Sequence, residues 1–374
     1  MAADDLTKPL GLAAARRLSG LWAAAAAAAI AGVVLAGAWL IREPGPTATA
    51  AITAPAPGEP TIADRAPQPP AAEPFATGGP GLVEVKPNDG GLADIGEVVI
   101  YDPSAPRPMA LGALPDRALL ETGDYGPLPR IGADGRRPLD AYARPSDADD
   151  RDARIAIVIG GVGIDADGTA RAIADLPGAV TLALAPYGED LDLTLAQARA
   201  AGHEILLQIP LEPYSYPQVD PGPQTLTTDA PAEDNLDRLH WLMSRATNYV
   251  GVVNYMGARF TSETPALAPI LAEIGRRGLL YLDDGSSARS VAAVVAAGRA
   301  PFLQADLVLD AELSAAAIDA RLRQLQAIAR DRGYAIGSAT AFAVTLDRVA
   351  AFARAIADQH LILVPVSALV DGRS

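Results

Sequence analysis

The chain has 374 residues, a net charge of −15 at pH 7 and a sequence pI near 4.6. Such an acidic chain lacks the surplus of Lys and Arg that neutralises phosphates, which argues against a nucleic-acid partner. It contains no cysteine, so disulfides, thiolate metal sites and thiol nucleophiles are excluded. The 34 Gly and 32 Pro residues favour one large domain with extended tails over two packed domains.

Residues 21–41 form an apolar stretch without a charged side chain, which begins at Leu21 and ends at Ile41. A helix of this length covers about 31 Å and can cross the apolar core of a bilayer. Three basic residues precede the stretch, so the positive-inside rule keeps residues 1–20 in the cytoplasm. We predict a single-pass protein of the inner (cytoplasmic) membrane whose C-terminal domain lies outside the cytoplasm, in the periplasm.

The same stretch also fits a cleaved signal peptide. Ala36, Gly37 and Ala38 supply small residues after the apolar run, as a signal-peptide cleavage site requires. Both interpretations export the remainder of the chain, so they differ only in whether the domain stays attached to the membrane.

Residues 42–80 are rich in Pro, Ala, Thr and Gly and hold almost no large apolar side chain. Because such a segment cannot bury enough apolar surface to fold, we predict a disordered Pro/Ala linker. Residues 81–152 contain short apolar runs between Pro and Gly residues. These runs predict an extended arm or a small hairpin region.

Residues 153–374 alternate short β-branched runs with amphipathic helical stretches, which is typical of βα units around a parallel sheet. The predicted strands are residues 155–159, 180–184, 204–208, 250–253, 279–282, 307–309, 334–336 and 361–364. The predicted helices are residues 167–174, 191–201, 232–244, 265–277, 314–332 and 345–359. This pattern favours an α/β fold, a deformed (β/α) barrel of about seven to eight units, with a doubly wound open sheet as the alternative. In both folds, functional residues follow the carboxyl ends of the strands.

The first predicted strand is followed by the glycine-rich sequence IGGVGID at residues 159–165. Its glycine spacing does not match G-x-G-x-x-G, and no acidic residue ends a second strand about twenty residues later. A dinucleotide-binding loop is therefore not favoured.

Five further segments carry a resemblance to a known family. They are AGHE at residues 201–204, LQIPLEP at 207–213, DPGP at 220–223, NYMGAR at 254–259 and YLDD at 281–284. In this order and spacing, residues 154–367 resemble the divergent polysaccharide deacetylases, which are related to the NodB-like enzymes. The opening DLTKPLG at residues 5–11 also resembles the exported, membrane-anchored members of that family.

The resemblance implies a barrel that acts on acetylated envelope sugars, or that derives from enzymes that do. Deacetylation of this kind uses a divalent ion, held by His and carboxylate ligands, to polarise the acyl carbonyl and acidify a water. By resemblance, active relatives have an Asp-Asp pair where this chain has Gly160 and Gly161. They have His at the positions of Gln208 and Tyr255, and Gly-His-Pro at residues 337–339. We therefore predict no metal ligands and no cofactor, because the family-type zinc site is lost.

The three histidines do not replace these ligands. His203 stands before a predicted strand, His240 lies within a predicted helix, and His360 precedes the last predicted strand. None of them follows the carboxyl end of a strand, so we expect each to be a packing or surface residue.

Asp283 and Asp284 are paired carboxylates at a strand end and are the candidates for a catalytic acid or base. Alternatively, one of them caps the turn that follows and the other pairs with Arg259 or Arg289. Glu212 and Arg259 fit a structural ion pair and a sugar-binding pair equally well.

The predicted ligand-binding residues are Gln208, Glu212, Asn254, Tyr255, Arg259, Asp283 and Asp284. We predict a metal-free pseudoenzyme of carbohydrate metabolism that binds a cell-wall glycan or an envelope protein in its former active cleft. The alternative is an active carbohydrate deacetylase or hydrolase with a remodelled site, in which Asp283 or Asp284 is the base and Asn254 or Gln208 stabilises the oxyanion. A third possibility is a purely mechanical envelope protein.

Overall fold

The computed structural model describes residues 82–83, 100–101, 111–112, 114–146, 148, 152–356 and 360–370. The predicted cytoplasmic tail, membrane helix and linker at residues 1–20, 21–41 and 42–80 lie outside the described residues and remain predictions. Within the described ranges, no helix is both long enough and apolar enough to cross a membrane.

Two short antiparallel pairs precede the main sheet. Strand β1 (Leu82–Val83) pairs with β2 (Ile100–Tyr101). Strand β3 (Leu120–Gly123) forms a hairpin with β4 (Gly126–Pro129), and the short helix α1 (Pro138–Ala141) follows it. The hairpin and α1 lie within the region for which an arm or a small hairpin is predicted.

The main sheet contains nine strands among the described residues, and all of their pairings are parallel. The strands are β5 (Ala153–Val162), β6 (Thr181–Leu184), β7 (Ile205–Leu211), β8 (Gly251–Met256), β9 (Leu280–Asp283), β10 (Phe302–Gln304), β11 (Leu307–Val308), β12 (Tyr334–Thr340) and β13 (Leu361–Leu363). Their order is β10-β9-β8-β7-β6-β5-β12-β11, and β13 pairs with the beginning of β5.

The two edge strands in this order, β10 and β11, are consecutive in the chain, since only Ala305 and Asp306 separate them. The backbone N–H of Ala305 donates to Asp283 O of β9, whereas that of Asp306 donates to Ile336 O of β12. One extended segment therefore contacts both β9 and β12. The sheet is curled, and this arrangement is consistent with the predicted (β/α) barrel.

The helices that follow β5 in the chain cover the outside of the curled sheet. They are α2 (Ala166–Asp175), α3 (Leu191–Ala200), α4 (Ala232–Met243), α5 (Thr264–Arg276), α6 (Ala292–Ala296), α7 (Ala315–Arg332) and α8 (Ala343–Ile356). Side-chain caps stabilise the first turn of two helices. The Asp165 side chain caps α2 by accepting from Gly168 N, and the Ser314 hydroxyl caps α7 by accepting from Ala317 N. Gly333 ends α7 in the left-handed conformation, with φ of 88°.

Alternate residues of the strands supply two cores. Ile157 of β5 belongs to the core between sheet and helices, while its neighbour Ala156 belongs to a second core inside the curled sheet. This inner core also contains Leu119 and Leu139, and Leu139 N donates to Gly278 O just before β9. The segment before β5 thus closes the amino end of the sheet, and the carboxyl end is left for a site.

Each predicted strand and helix of residues 153–374 overlaps an observed one, whereas β10 and α6 were not predicted. Strand β10 has three residues and α6 has five. The apolar run of β10 is only Phe302 and Leu303, shorter than the runs at residues 307–309 and 361–364 that predict β11 and β13, and a helix of five residues covers little more than one turn.

A buried arginine joins helix α5 to the hairpin. Arg277, with a side chain only 2% exposed, donates to Glu273 Oε1, Glu121 Oε1 and Pro129 O at 2.6, 2.8 and 2.8 Å. Burial alone would raise the pKa of Glu273. Hydrogen bonds from His240, Arg276 and Arg277 outweigh burial and hold that pKa well below its ordinary value.

We expect Arg277→Met to lower the free energy of unfolding by about 3 kcal/mol, because it removes the buried guanidinium that pairs with Glu273 and Glu121 and donates to Pro129 O. Arg276→Met is the matched control, since Arg276 pairs with the same Glu273 from a side chain that is 59% exposed. Its loss costs about 1 kcal/mol or less. Urea unfolding measures both, and equal losses in the two variants contradict this account of the arginine.

Candidate functional site

Two adjacent cavities open at the carboxyl ends of the strands. The smaller has a volume of about 220 Å³ and the larger about 770 Å³. Gln208, Tyr255 and Thr340 line both of them, so they form two compartments of one cleft. A concave site at this end of a parallel sheet is where ligands are expected to bind.

The smaller compartment brings together four of the seven predicted ligand-binding residues. Gln208, Asn254, Tyr255 and Asp284 all line it. Gly160, Ser286, Asp310, Ser338 and Thr340 also line it, along with apolar residues from the floor. Positions 160, 208, 255 and 338 lie near the carboxyl ends of four different strands, β5, β7, β8 and β12, and the curled sheet places them at one cavity.

The other three predicted residues, Glu212, Arg259 and Asp283, line neither compartment. The buried Glu212 accepts from Arg259 Nη1 at 2.8 Å and from the backbone and hydroxyl of Thr228 at 2.6 and 2.8 Å. Between the two interpretations of Glu212 and Arg259, this geometry is that of a structural ion pair, which fixes the loops after β7 and β8.

Asp283 also holds a loop. It is 1% exposed, and its two carboxylate oxygens accept from Gly285 N at 3.0 Å and from the Ser290 hydroxyl at 2.5 Å. Asp284 accepts from Ser286 N. Neither aspartate forms an ion pair with Arg259 or Arg289 among the described residues. Both carboxylates instead cap the turn that follows β9, a role that the alternative interpretation gave to one of them.

Asn254 connects β8 with the loop that carries Asp284. Its Oδ1 accepts from Asp284 N at 2.9 Å and its Nδ2 donates to Met256 O at 2.7 Å. The hydroxyl of Ser338 donates to Asp284 O at 2.7 Å. Burial raises the pKa of Asp284 above its ordinary value, despite hydrogen bonds from Ser286 and Asn254 that lower it.

Gln208 occupies space next to Gly160. Its Oε1 accepts from Gly161 N at 2.7 Å, and a Cβ atom added at Gly160 would lie 2.6 Å from Gln208 Nε2. Gly161 has φ of 76°, where any residue with a side chain is strained. The conformation of Gln208 in β7 and the absence of side chains at Gly160 and Gly161 in β5 therefore depend on each other.

This set of side chains does not fit a divalent metal. The positions expected to hold ligands by family resemblance carry Gly160, Gly161, Gln208, Tyr255 and Ser338. Amide and hydroxyl groups are poor zinc ligands. No group of three or more His, Cys, Asp or Glu residues suited to a metal ion occurs in the part of the chain that the structure describes.

The histidines stand elsewhere. His203 is buried, with Nδ1 2.8 Å from Val180 O and Nε2 3.2 Å from Ile173 O, and burial lowers its pKa. His240 Nε2 lies 2.6 Å from Glu273 Oε1 in the arginine network. No histidine lines either compartment.

Asp310 is a cavity residue that the sequence analysis missed. It follows β11, is 8% exposed, and its Oδ2 accepts from Thr340 N at 2.8 Å and from the Thr345 hydroxyl at 3.1 Å. Burial raises the pKa of Asp310, against the hydrogen bonds from Thr340 and Thr345 that lower it. It directly follows the predicted strand 307–309, so the rule that functional residues follow strand ends would have found it.

The larger compartment is mainly apolar and aromatic. Tyr187, Tyr255, Phe342 and Ile164 line it together with Pro210 and Pro221. At one side lies Arg171, which is held by Asp175 and Asp347 at 3.1 and 2.6 Å. Pyranose rings and other flat apolar faces pack well on such aromatic walls.

We expect Gly160→Ala to destabilise the fold by about 1 kcal/mol or more, because the new methyl group displaces Gln208 and breaks its hydrogen bond with Gly161 N. In a Gln208→Ala background the same change costs less, since the obstructing amide is absent. A double-mutant cycle by urea unfolding measures the coupling, expected at about 0.5 to 3 kcal/mol. Strictly additive effects contradict the proposed dependence.

Comparisons with known proteins identify relatives of the chain. A crystal structure of the uncharacterized protein ATU2773 from Agrobacterium tumefaciens C58 is 49% identical, with a TM-score of 0.64, and covers 66% of this chain and 100% of that chain. An uncharacterized protein of Haemophilus influenzae (strain ATCC 51907 / DSM 11121 / KW20 / Rd) is 27% identical over 143 residues, which are 38% of this chain. The match spans only 50% of that curated relative.

The family model for the divergent polysaccharide deacetylases matches residues 157–370, which is more than half of the chain. The match begins within β5 and extends beyond β13, so it includes every strand that contributes to the two compartments. The chain belongs to the divergent polysaccharide deacetylase family.

Proposed function

We propose that this protein is a metal-independent member of its family that binds an envelope glycan in the two-compartment cleft. The observation that carries the proposal is the chemistry at the strand ends. Gly160, Gln208, Tyr255 and Ser338 surround one cavity, and none of them offers an imidazole or a carboxylate. Gln208 and Ser338 are bonded to the protein's own backbone, so the cleft holds its shape without an ion.

The cleft suits a sugar chain for two reasons. Tyr255 is 40% exposed and lies at the junction of the compartments, where a ring can stack on the apolar face of a pyranose. Gln208, Asn254 and Thr340 provide neutral amides and a hydroxyl in the same cavity, and such groups are used to orient polar ligands. A second aromatic wall, formed by Tyr187 and Phe342, continues through the larger compartment.

The place of action follows from the N-terminal sequence. Residues 21–41 act as a single membrane anchor, residues 42–80 as a tether, and residues 153–374 as the domain in the periplasm. A tethered glycan-binding domain reaches cell-wall material close to the membrane. An envelope protein is the alternative partner for the cleft.

We expect the full chain to bind N-acetylglucosamine oligomers, to release no acetate from them and to hold no stoichiometric zinc. Tyr255→Ala should weaken binding by about tenfold, because a stacking ring is worth on the order of 1 kcal/mol. Tyr125→Ala is the matched control, since Tyr125 is a similarly exposed tyrosine on the β3–β4 hairpin, outside both compartments. Titration calorimetry, an acetate assay and elemental analysis provide the readouts.

Stoichiometric zinc together with acetate release contradicts the metal-independent function. Absence of binding or thermal stabilisation with every cell-wall fragment contradicts glycan binding and favours the purely mechanical role.

A remodelled hydrolase is the second candidate, and the environment of Asp284 favours it over Asp283. Asp284 lines the smaller compartment and burial raises its pKa, as expected of a general base. Asp284 would take a proton from the water that attacks the acyl carbon, and would return it to the departing amine or hydroxyl oxygen as the bond to the acyl carbon breaks and acetate forms. Gln208 Nε2 would donate to the oxyanion, because Asn254 Nδ2 already donates to Met256 O.

If this candidate is correct, the wild-type chain releases acetate without added metal and Asp284→Asn abolishes the release at an unchanged melting temperature. Ser262→Ala controls for the general effects of mutagenesis and purification and should retain the activity, because Ser262 lies outside both compartments. No acetate from the wild-type chain excludes this candidate.

A further inference from the structure

The smaller compartment contains hydrogen-bonding groups that the protein leaves unused. Gln208 is 9% exposed, and its Oε1 accepts from Gly161 N, whereas its Nε2 donates to no described residue. Because the partner of Oε1 is an N–H donor, the orientation of the amide is fixed by this bond. A side chain that is nine-tenths buried thus presents a free donor group in a residue that lines both compartments.

Asp310 presents the complementary group. Its Oδ2 accepts both hydrogen bonds, from Thr340 N and from the Thr345 hydroxyl. Its Oδ1 accepts no hydrogen bond from another described residue, although the side chain is more than nine-tenths buried. An unused carboxylate oxygen at a cavity wall requires a donor from a ligand or from water.

The carboxylates of this cavity also lack a cation. Asp284 and Asp310 form no ion pair with any Arg, Lys or His in the described ranges. Glu212 and Glu273 are paired with Arg259 and Arg277, whereas the buried Asp283 has no ion-pair partner among the described residues and accepts from Gly285 N and the Ser290 hydroxyl instead. Asp284 and Asp310 differ from Asp283 because both line the cavity. Their unneutralised charge at the cavity wall favours a cationic ligand group.

We infer that the smaller compartment binds a 2-amino-2-deoxy sugar unit with a free amine. Its ammonium group donates to Asp284 and Asp310, and a neighbouring hydroxyl oxygen accepts from Gln208 Nε2. This inference rests on the proposed glycan-binding function and specifies the sugar: the cleft prefers a de-N-acetylated unit to an acetylated one.

Two features favour this occupant over other cations. Among the residues that the structure describes, no group of three or more His, Cys, Asp or Glu suited to a metal ion includes the two carboxylates, and cations such as Ca²⁺ need six or more oxygen ligands. An N-acetyl group, in contrast, is neutral and leaves both carboxylates without a counter-charge. The aromatic walls around Tyr255 then hold the sugar units that extend into the larger compartment.

Titration calorimetry with the full chain tests the inference. The two ligands are chitotriose with one free amine and fully acetylated chitotriose, at pH 7. We expect the amine-bearing trisaccharide to bind about tenfold more tightly, because a charge-assisted hydrogen bond is worth roughly 1.5 kcal/mol or more. Asp310→Asn keeps an acceptor for Thr340 and Thr345 but should abolish the preference, and Asp284→Asn should do the same.

The control separates recognition in the cavity from general attraction of a cation to a chain of charge −15. Asp234→Asn removes the same charge from an exposed position on α4 outside both compartments, and should retain the preference.

Equal affinity for the two trisaccharides, or a preference that persists in both cavity variants, overturns the inference and leaves glycan binding intact. If neither trisaccharide binds, the proposed function fails and the inference fails with it.

Discussion

The hydrogen bond from Gly161 N to Gln208 Oε1 determines which chemical groups the cleft presents at the ends of β5 and β7. It brings the Gln208 amide so close to Gly160 that a side chain there would collide with it. The strand ends of β5 and β7 are thus joined by a neutral amide at positions where, by family resemblance, a metal site has imidazole and carboxylate ligands. Because Gly161 has a positive φ, the same segment also resists a change to a carboxylate at the second position.

Two carboxylates, Asp284 and Asp310, line the smaller compartment of the cleft. Asp284 and Asp310 follow β9 and β11, and the curled sheet places both at the compartment that Gln208 lines. Loops are fixed separately, by Asp283 and by the ion pair of Glu212 with Arg259. Asp283 and Glu212 hold loops and line neither compartment, whereas Asp284 and Asp310 line the smaller compartment and also accept hydrogen bonds from the backbone.

Sequence periodicity predicted the strands and long helices of the domain because each buries a regular apolar face. It missed β10, whose apolar run is only Phe302 and Leu303, and α6, which covers little more than one turn. Strand-end positions predicted Gln208, Asn254, Tyr255 and Asp284 as cavity residues. The sequence alone does not show that Asp284 lines the cavity and Asp283 does not. Adjacent residues at the end of a strand point to opposite faces, and only the three-dimensional register decides which of them faces the cavity. Asp310 was overlooked although the same rule applied to it.

A crystal structure of the protein grown with zinc and a partly deacetylated chitooligosaccharide, with anomalous data collected at the zinc edge, tests the central claim most directly. The account predicts sugar density across both compartments, an amine at Asp284 and Asp310, and no anomalous peak beside Gln208 and Tyr255. An ordered zinc ion in that position, coordinated by the residues at the strand ends, would contradict it.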